Sequence, residues 1–295
     1  MNGPRTILGG IDFGGAGTDA AMWAAMHLDP ARVVLGHVVT VPRLSSFLSL
    51  QSGTEELIET KLVEDAQARI DVLARELTED VGLPFETDVR VGVDVAATLD
   101  EMADDHDADL LALGPHDRRK GGWNPLGTIP SRLLRATKRP TLIVRGAFGE
   151  APQRVLAAID DSAVSAHLLD WLAWTTTKLG ADGTALHVID YPLRDFARYI
   201  TRPAGDDATR FEAQAGEWLR KQLTDAGLDE SYDVRVTLGE PEVEILAAAR
   251  RLDAGLLIMG TRGAGAIGRF LLGTVAQAVV RKAACPVLLL PAKDD

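Results

Sequence analysis

Cysteine is almost absent from the sequence, and long hydrophobic runs are missing. Cys285 is the single cysteine among 295 residues, so no disulfide can form within the chain, and we expect a reducing, cytoplasmic environment. No apolar run approaches the ~20 residues that a membrane-spanning helix needs, which argues against a membrane protein. The opening residues MNGPRTILGG lack the charged-then-apolar pattern of a leader, so we expect no signal peptide.

Positive charge is also scarce. Lysine and arginine number 31 against 43 aspartate and glutamate residues, which leaves a formal net charge of −12. Nucleic-acid binding depends on neutralising phosphates, and no basic segment large enough for this is present. We therefore expect neither a nucleic-acid partner nor attachment to an acidic membrane surface.

Familiar catalytic motifs are missing as well: the sequence contains no G-x-S-x-G, H-E-x-x-H or C-x-x-C pattern. His37 and His187 occupy matched positions at predicted strand ends, which favours a structural role. DDHDAD (104–109) lies at a predicted helix-to-strand junction and is typical of a solvated acidic turn rather than a metal site. The sequence therefore predicts no catalytic or metal-binding constellation, and this protein is not expected to be an efficient enzyme.

The sequence does contain an internal repeat. DADLLALG (107–114) and DAGLLIMG (253–260) are nearly the same segment, and other matched pairs stand at similar spacing along the chain. The joint lies in GAFGEAPQ (146–153), where Gly and Pro interrupt the apolar pattern. We therefore predict two domains of one type, residues 1–148 and 149–295.

Each copy alternates short β-rich apolar runs with segments of helical length. Runs such as LLIM (256–259) are apolar without alternation, which is typical of strands covered by helices on both faces. This order favours βαβ units and right-handed crossovers. The predicted fold class is α/β, with two tandem Rossmann-like domains, each a five-stranded parallel sheet flanked by helices. Such sheets bind ligands at the carboxyl ends of their strands, where strand order reverses.

A glycine-rich segment, GTRGAGAIGRFLLGT (260–274), follows the fourth predicted strand of the second copy. Such a loop needs positive φ angles or a close approach of its bare backbone to something else. A P-loop is excluded because no lysine occurs in the segment. Phosphate bound here would have to be held by backbone N–H groups and a helix N-terminus.

Three features together resemble the universal stress protein family. They are Asp160 after the first strand, the pair His187-Val188 near the end of the second, and the spacing G-x2-G-x9-G-[ST]. The resemblance covers both halves and implies a tandem-domain member with a stress-response or regulatory role. The ATP-binding branch of the family implies ATP as the ligand, with Mg²⁺ accompanying its phosphates.

In that branch, the early aspartate and the valine contact the adenosine end of the nucleotide, and the glycine loop wraps the phosphates. The resemblance assigns these roles in the second half to Asp160, Val188, Gly260, Arg262, Gly263, Gly273 and Thr274. Thr274 is expected at a helix N-cap, where its hydroxyl and neighbouring N–H groups would face an anion.

The first half departs from this pattern. Its weaker candidates at the corresponding positions are Asp12, Val38, Gly114, Gly127 and Thr128. Asp117 replaces the second glycine, and a carboxylate beside a triphosphate repels it by ~1 to 4 kcal/mol at 4 Å. Arg118, Arg119 and Lys120 follow at once, and they either offset this repulsion or form a solvated face. We therefore expect nucleotide mainly in the second half.

Other interpretations stay open at this point. GAGTDA (15–20) fits the dinucleotide fingerprint, but the second strand ends without the acidic residue that would hold a ribose, which disfavours an oxidoreductase. The segments 42–57 and 191–207 lack a clear pattern and could serve as lids or partner contacts. A non-nucleotide-binding interaction protein of the same family and a slow ATPase are the alternative functions.

The resemblance also implies how the two halves associate. Domains of this family commonly pair through their last strands, here TLIV (141–144) and VLLL (287–290). Open apolar edge strands are a liability unless they are paired. We therefore expect an intramolecular pseudo-dimer, with homodimerisation of the whole chain as a further option.

Overall fold

The computed structural model describes residues 2–40, 54–115, 126–145, 150–162, 164–190, 206–263 and 272–291. The chain divides into two compact units, here called the first and the second domain. The first is Pro4–Val144, and the second is Arg145–Asp295 together with the residues up to Gly3. Asp117 and its basic neighbours, most of the two segments without a clear pattern, and the middle of the glycine loop lie outside the described residues.

Strands and helices alternate along the described part of the first domain. Its elements are β1 (Thr6–Gly10), α1 (Ala16–Leu28), β2 (Arg32–Val39), α2 (Thr54–Val81), β3 (Phe85–Val91), α3 (Val95–Asp105), β4 (Leu110–Leu113), α4 (Thr128–Ala136) and β5 (Thr141–Ile143).

The second domain repeats this alternation. Its elements are β6 (Arg154–Ala158), α5 (Ser165–Leu179), β7 (Asp182–Asp190), α6 (Asp206–Asp225), β8 (Asp233–Gly239), α7 (Pro241–Arg251), β9 (Leu256–Gly260), α8 (Thr274–Lys282) and β10 (Val287–Leu290).

All strand pairings within each domain are parallel. In the first domain β1 lies between β2 and β4, with β3 beyond β2 and β5 beyond β4. In the second domain β6 lies between β7 and β9, with β8 beyond β7 and β10 beyond β9. Strand order therefore reverses between β1 and β4 and between β6 and β9. The predicted fold class, two tandem five-stranded parallel sheets with helices, is confirmed.

The middle residues of the central strands are buried. Leu8 in β1, Leu111 in β4, Leu156 in β6 and Ile258 in β9 have no exposed surface. Helices cover both faces of such a sheet, which explains why these strands read as continuous apolar runs in the sequence. Among the helices that the structure describes, none is long and apolar enough to cross a membrane.

Candidate functional site

The candidate site lies at the carboxyl ends of β6 and β9, where the strand order of the second domain reverses. Asp160 stands two residues beyond β6, in the turn that leads to α5. The described start of the glycine loop, residues 261–263, follows β9 directly. Parallel pairing of β6 with β9 brings these two connections together, because both leave the same edge of the sheet.

The Asp160 carboxylate is held by two serine residues. Its Oδ1 atom accepts hydrogen bonds from the Ser162 backbone N–H at 3.1 Å, from Ser162 Oγ at 2.5 Å and from Ser165 Oγ at 3.4 Å. Ser165 Oγ also donates to the backbone carbonyl oxygen of Asp160. The single proton of the Ser165 hydroxyl is shared between these two acceptors, so the Ser162 N–H and hydroxyl are the main donors that orient this carboxylate oxygen. The sequence reasoning missed both serines, although Asp-x-Ser is a known signal for a side-chain-capped turn.

Gly263 lies against the other oxygen of this carboxylate. A Cβ atom on Gly263 would stand 3.1 Å from Asp160 Oδ2, and residue 263 is exposed. The described start of the loop and the carboxylate after β6 are therefore neighbours across the switch point. Two site residues that are more than a hundred positions apart in the sequence are brought together by the fold.

The other two motif glycines are packed against the loop itself. A Cβ atom on Gly260 would lie 3.0 Å from the Arg262 carbonyl oxygen, and one on Gly273 would lie 3.1 Å from the Thr261 carbonyl oxygen. The Gly273 N–H donates to that Thr261 oxygen at 2.8 Å, so the two ends of the loop are joined at its base. These glycines permit the loop's own closure, and Gly263 is the one that faces a site side chain.

The start of α8 differs from the expectation for Thr274. Gly273 is the N-cap, without a side-chain hydrogen bond, and Thr274 is the first residue of the helix, with an exposed side chain. The N-cap prediction for Thr274 is therefore wrong by one position. The close approach of Gly273 to Thr261 places glycine at the cap, because a larger residue there would press on the loop base.

His187 holds the strand end that precedes Asp160. Its Nδ1 atom is 2.8 Å from the Ile159 carbonyl oxygen, and the Ile159 N–H donates to Leu186 at 2.8 Å. The Trp218 ring of α6 packs edge-on against the imidazole, with the ring centroids 4.9 Å apart. His187 thus contacts a backbone carbonyl group, in agreement with the predicted structural role. Val188 follows it on β7 and is half-buried; β7 pairs with β6, the strand that leads to Asp160.

Arg262 contributes a half-buried side chain to the described start of the loop, between Thr261 and Gly263. Its carbonyl oxygen is the atom that crowds Gly260. It therefore brings a positive charge to the segment that follows β9.

The first domain builds the corresponding region differently. Asp12 is exposed, and its Oδ1 atom accepts a hydrogen bond from the Gly14 N–H at 2.8 Å. A Cβ atom on Gly114 would lie 2.6 Å from the Ala16 Cβ atom at the start of α1. The Gly127 N–H donates to Pro115 at 2.7 Å, so the base of the loop is joined as in the second domain.

The remaining first-domain candidates lie at the same structural positions as their counterparts in the second domain. Thr128 is the first residue of α4 and is exposed, with Gly127 at the N-cap, and Val38 is buried in β2. His37 repeats the contact of His187, with its Nδ1 atom 2.7 Å from the Ile11 carbonyl oxygen. The two domains therefore share the backbone arrangement around the site, including the histidine contact and the helix start.

Phe13 is a feature of the first domain that the sequence reasoning missed. Its φ angle is +57°, a region that bulky residues rarely adopt, and its ring centroid lies 4.5 Å from that of His37. The Arg69 guanidinium from α2 lies 4.0 Å from the centroid of the same ring, which is a cation–π contact. Asp161 occupies the matched position in the second domain. An aromatic ring therefore covers the strand end in the first domain.

The glycines of GAGTDA (15–20) are required by the local backbone conformation and packing. Gly15 is the N-cap of α1 with a φ angle of +91°, which a residue with a side chain would adopt only under strain. A Cβ atom on Gly17 would lie 2.2 Å from the Gly10 carbonyl oxygen. The apparent dinucleotide fingerprint thus has a local structural explanation.

The acidic segment DDHDAD (104–109) connects α3 to β4 and makes local contacts. Asp105 forms an ion pair with Arg90 at 2.6 Å, and Asp109 accepts a hydrogen bond from the Thr6 N–H at 2.9 Å. Among the described residues, no group of three or more His, Cys, Asp or Glu side chains is arranged to hold a metal ion. This segment helps to join α3, β1 and β3.

Cys285 is buried, with 9% of its surface exposed. Burial raises the pKa of its thiol to about 11, which keeps it protonated near neutral pH. A thiol is a weak nucleophile in that form. Cys285 therefore adds packing rather than reactivity.

Comparison with known proteins identifies the family. The sequence profile of the universal stress protein family matches residues 3–145 and again residues 152–291. A universal stress protein of Mycolicibacterium smegmatis is 28% identical over 96% of this chain and 96% of its own length. One from Mycobacterium tuberculosis is 26% identical over 98% of this chain and 97% of its own.

A solved structure gives the same result at the level of the fold. A universal stress protein from Archaeoglobus fulgidus matches 98% of this chain and 97% of its own, with a TM-score of 0.69 at 19% identity. Because the family profile matches both halves, the resemblance noted in the sequence is confirmed. The chain belongs to the universal stress protein family and carries two copies of its domain in tandem.

Proposed function

We propose that the second domain binds an adenine nucleotide, ATP, and that the chain acts as a nucleotide-dependent regulatory module in a stress response. The observation that supports this most strongly is the position of Gly263, 3.1 Å (at its Cβ site) from Asp160 Oδ2. An acceptor for the nucleoside and a loop with bare backbone then stand side by side at the switch point, the usual ligand position in such sheets.

In the proposed complex, Asp160 and Val188 contact the adenosine end. Carboxylate oxygens have lone pairs for more than one hydrogen bond each, so Asp160 can accept one from a hydroxyl or amino group of the nucleoside. The phosphates run along Gly260, Arg262 and Gly263 towards Gly273-Thr274. The start of α8 there offers backbone N–H donors and the positive end of a helix dipole.

Mg²⁺ would enter with the nucleotide. Magnesium prefers oxygen ligands and keeps several waters, so phosphates commonly supply its ligands. Within the described ranges no cluster of acidic side chains offers a separate metal site. The proposal therefore assigns no protein residue as a dedicated metal ligand.

The first domain is proposed to bind nucleotide weakly. Ala16 packs against Gly114, whereas the nearest side chain at Gly260 is Val164, whose Cγ1 atom lies 3.9 Å from the corresponding Cβ position. Phe13 adds a ring at the end of β2. The sequence also places Asp117, which lies outside the described residues, where the second domain has Gly263.

We further propose a cytoplasmic location, which the single cysteine supports. The pseudo-dimer through the last strands and a homodimer of whole chains stay predictions from the sequence.

Mass spectrometry of small molecules released from freshly purified protein, followed by calorimetry with ATP and Mg²⁺, tests the proposed function. We expect a co-purified adenine nucleotide, or tight binding of close to one ATP per chain. If no nucleotide is released and no binding heat is seen, the chain is an interaction protein of the same family. Steady release of phosphate would instead indicate an ATPase.

A further inference from the structure

The second domain orients its site carboxylate with hydroxyl groups that the first domain lacks. Ser162 Oγ donates to Asp160 Oδ1 at 2.5 Å, and Ser165 Oγ reaches the same oxygen at 3.4 Å. Alignment of ILGGID with VLAAID places Gly14 and Gly17 at the matching positions of the first domain. In that domain the structure shows one donor on Asp12 Oδ1, the backbone N–H of Gly14 at 2.8 Å.

The backbone of the first domain leaves no room for a serine at the position that matches Ser165. A Cβ atom on Gly17 would stand 2.2 Å from the Gly10 carbonyl oxygen, so no serine fits at that position of the first domain. At the matching position of the second domain, Ser165 is buried, with 4% of its surface exposed, and its hydroxyl donates a hydrogen bond to Asp160. The serine pair is therefore specific to the second domain.

We infer that Ser162, assisted by Ser165, is a positioning residue of the nucleotide site and acts through Asp160. This inference rests on the proposed function. Ser162 holds Oδ1, so Oδ2 is directed to the side of Gly263, where it accepts a hydrogen bond from a hydroxyl or amino group of the nucleoside. The chemical feature recognised is thus a neutral donor group on the nucleoside, next to the phosphate loop.

The physical reason is preorganisation. A carboxylate that rotates freely must be ordered when the ligand binds, and that ordering weakens the affinity. Hydrogen bonds to a charged acceptor are also stronger than those between neutral groups. Because Ser162 belongs to the same turn as Asp160, its hydroxyl fixes the orientation of the carboxylate, which exchanging water molecules do not. The first domain keeps the aspartate but holds it with fewer donors, in agreement with its weaker proposed binding.

The test compares two serines in the same kind of turn. Ser162→Ala removes the hydroxyl and keeps the backbone N–H bond. Calorimetry with ATP and Mg²⁺ should show affinity about three- to tenfold weaker, the change that the net contribution of one typical intramolecular hydrogen bond produces. Ser231→Ala is the matched control. Ser231 Oγ and N donate to Asp229 Oδ1 at 2.5 Å and 3.0 Å, in an Asp-x-Ser turn of the same domain between α6 and β8. We expect Ser231→Ala to bind ATP like the wild type.

A double-mutant cycle separates positioning from general stability. If Ser162 acts through Asp160, then Ser162→Ala changes the affinity in the wild type and leaves it unchanged in an Asp160→Ala background. Ser162→Thr, which keeps a hydroxyl, should restore most of the affinity. Thermal unfolding midpoints of Ser162→Ala and Ser231→Ala should fall by similar amounts. If Ser162→Ala does not fold, Ser162→Gly replaces it in these measurements, because the first domain has glycine at the matching position.

The outcomes distinguish this inference from the proposed function. If the wild type binds no nucleotide, the proposed function fails and the inference fails with it. If the wild type binds ATP but Ser162→Ala and Ser231→Ala have equal affinities, only the positioning role is overturned. A loss that persists undiminished in the Asp160→Ala background overturns it as well.

Discussion

Asp160 Oδ2 lies 3.1 Å from the position that a Cβ atom on Gly263 would occupy. The described start of the loop after β9 therefore lies beside the carboxylate after β6. A side chain at position 263 would press on that carboxylate, which would have to shift by a few tenths of an ångström. This makes Gly263 the residue whose substitution tests the site most sharply.

Gly263→Asp should reduce the ATP affinity of the second domain at least tenfold. The new carboxylate would stand beside Asp160 and the expected phosphates, and two like charges at 4 Å repel by ~1 to 4 kcal/mol. Calorimetry on the folded variant checks this. Gly216→Asp is the control, because it adds the same charge to α6, where the nearest atom to a Cβ is Val236 Cγ2 at 4.0 Å. Unchanged affinity in folded Gly263→Asp would remove the site assignment.

Asp117→Gly should raise the ATP affinity of the first domain by roughly tenfold, since ~1.4 kcal/mol corresponds to a decade. The substitution removes a negative charge from the loop position that Gly263 holds in the second domain. The measurement is the amount of bound nucleotide per chain in a Gly263→Asp background, in which the second domain is expected to bind ATP poorly. Tight ATP binding by the first domain with Asp117 in place would contradict the charge argument and indicate compensation by its basic neighbours.

ATP hydrolysis should be slower than about one turnover per second, the low end for typical enzymes. His187, a conceivable base near the site, uses its Nδ1 atom on the Ile159 carbonyl oxygen and packs against Trp218. A steady-state phosphate-release assay measures the rate, with Asp160→Ala as the control for a contaminating ATPase. A faster rate that disappears in Asp160→Ala would show that the chain is an enzyme.

His27 should make the first domain less stable in mild acid. Burial lowers the pKa of its imidazole below the ordinary 6.5, and its Nε2 atom makes no hydrogen bond within the described part of the chain. The folded state therefore binds the proton less readily than the unfolded state. Stability is fully present above pH 6.5 and falls as the pH is lowered below it, by at most about 1.4 kcal/mol per pH unit.

Urea unfolding at pH 7.5 and pH 5.5 tests the role of His27. His27→Leu should reduce the difference in unfolding free energy between the two pH values. The packing against Trp23, with ring centroids 4.8 Å apart, can be preserved with His27→Phe, which should behave in the same way. An unaltered pH difference in both variants would assign the acid sensitivity to other groups.

Asp88→Asn should destabilise the first domain by about 1.5–3 kcal/mol, the range for a hydrogen bond to a charged group. Asp88 is 15% exposed and contacts Arg90 at 2.6 Å and His106 at 2.9 Å. Burial raises the pKa of this carboxyl, but the hydrogen bonds from Arg90 and His106 outweigh burial, so the pKa lies below its usual value. Its contribution is therefore present above the ordinary aspartate pKa and is lost as the pH falls through the lowered one.

The second domain supplies the matched control for Asp88. Asp233 and Arg235 repeat the same strand pair at 2.6 Å, but their side chains are 49% and 45% exposed. Exposed pairs contribute about 0–1 kcal/mol, so Asp233→Asn should cost less than Asp88→Asn in chemical denaturation. Equal costs would mean that burial and His106 add nothing to the first-domain pair.

Much of the fold could be predicted because its signals are local. Apolar runs without alternation, such as LLIM (256–259), identified buried strands, and the repeat of DADLLALG as DAGLLIMG identified two copies of one domain. The position of Thr274 was wrong by one residue, because the cap depends on how closely Gly273 approaches Thr261 across the loop base. Phe13 was missed for a similar reason: its contacts with His37 and Arg69 join three separate segments.

The sequence by itself determined the alternation of strands and helices, the duplication and the candidate residues, because periodicity and spacing are properties of the chain. Only the tertiary structure decided which of those residues meet. Parallel pairing of β6 with β9 brings Asp160 to Gly263 across a hundred residues, and the turn into α5 adds Ser162 and Ser165 as its hydrogen-bond donors. Such contacts depend on strand order and backbone approach within ångströms, which no local pattern encodes.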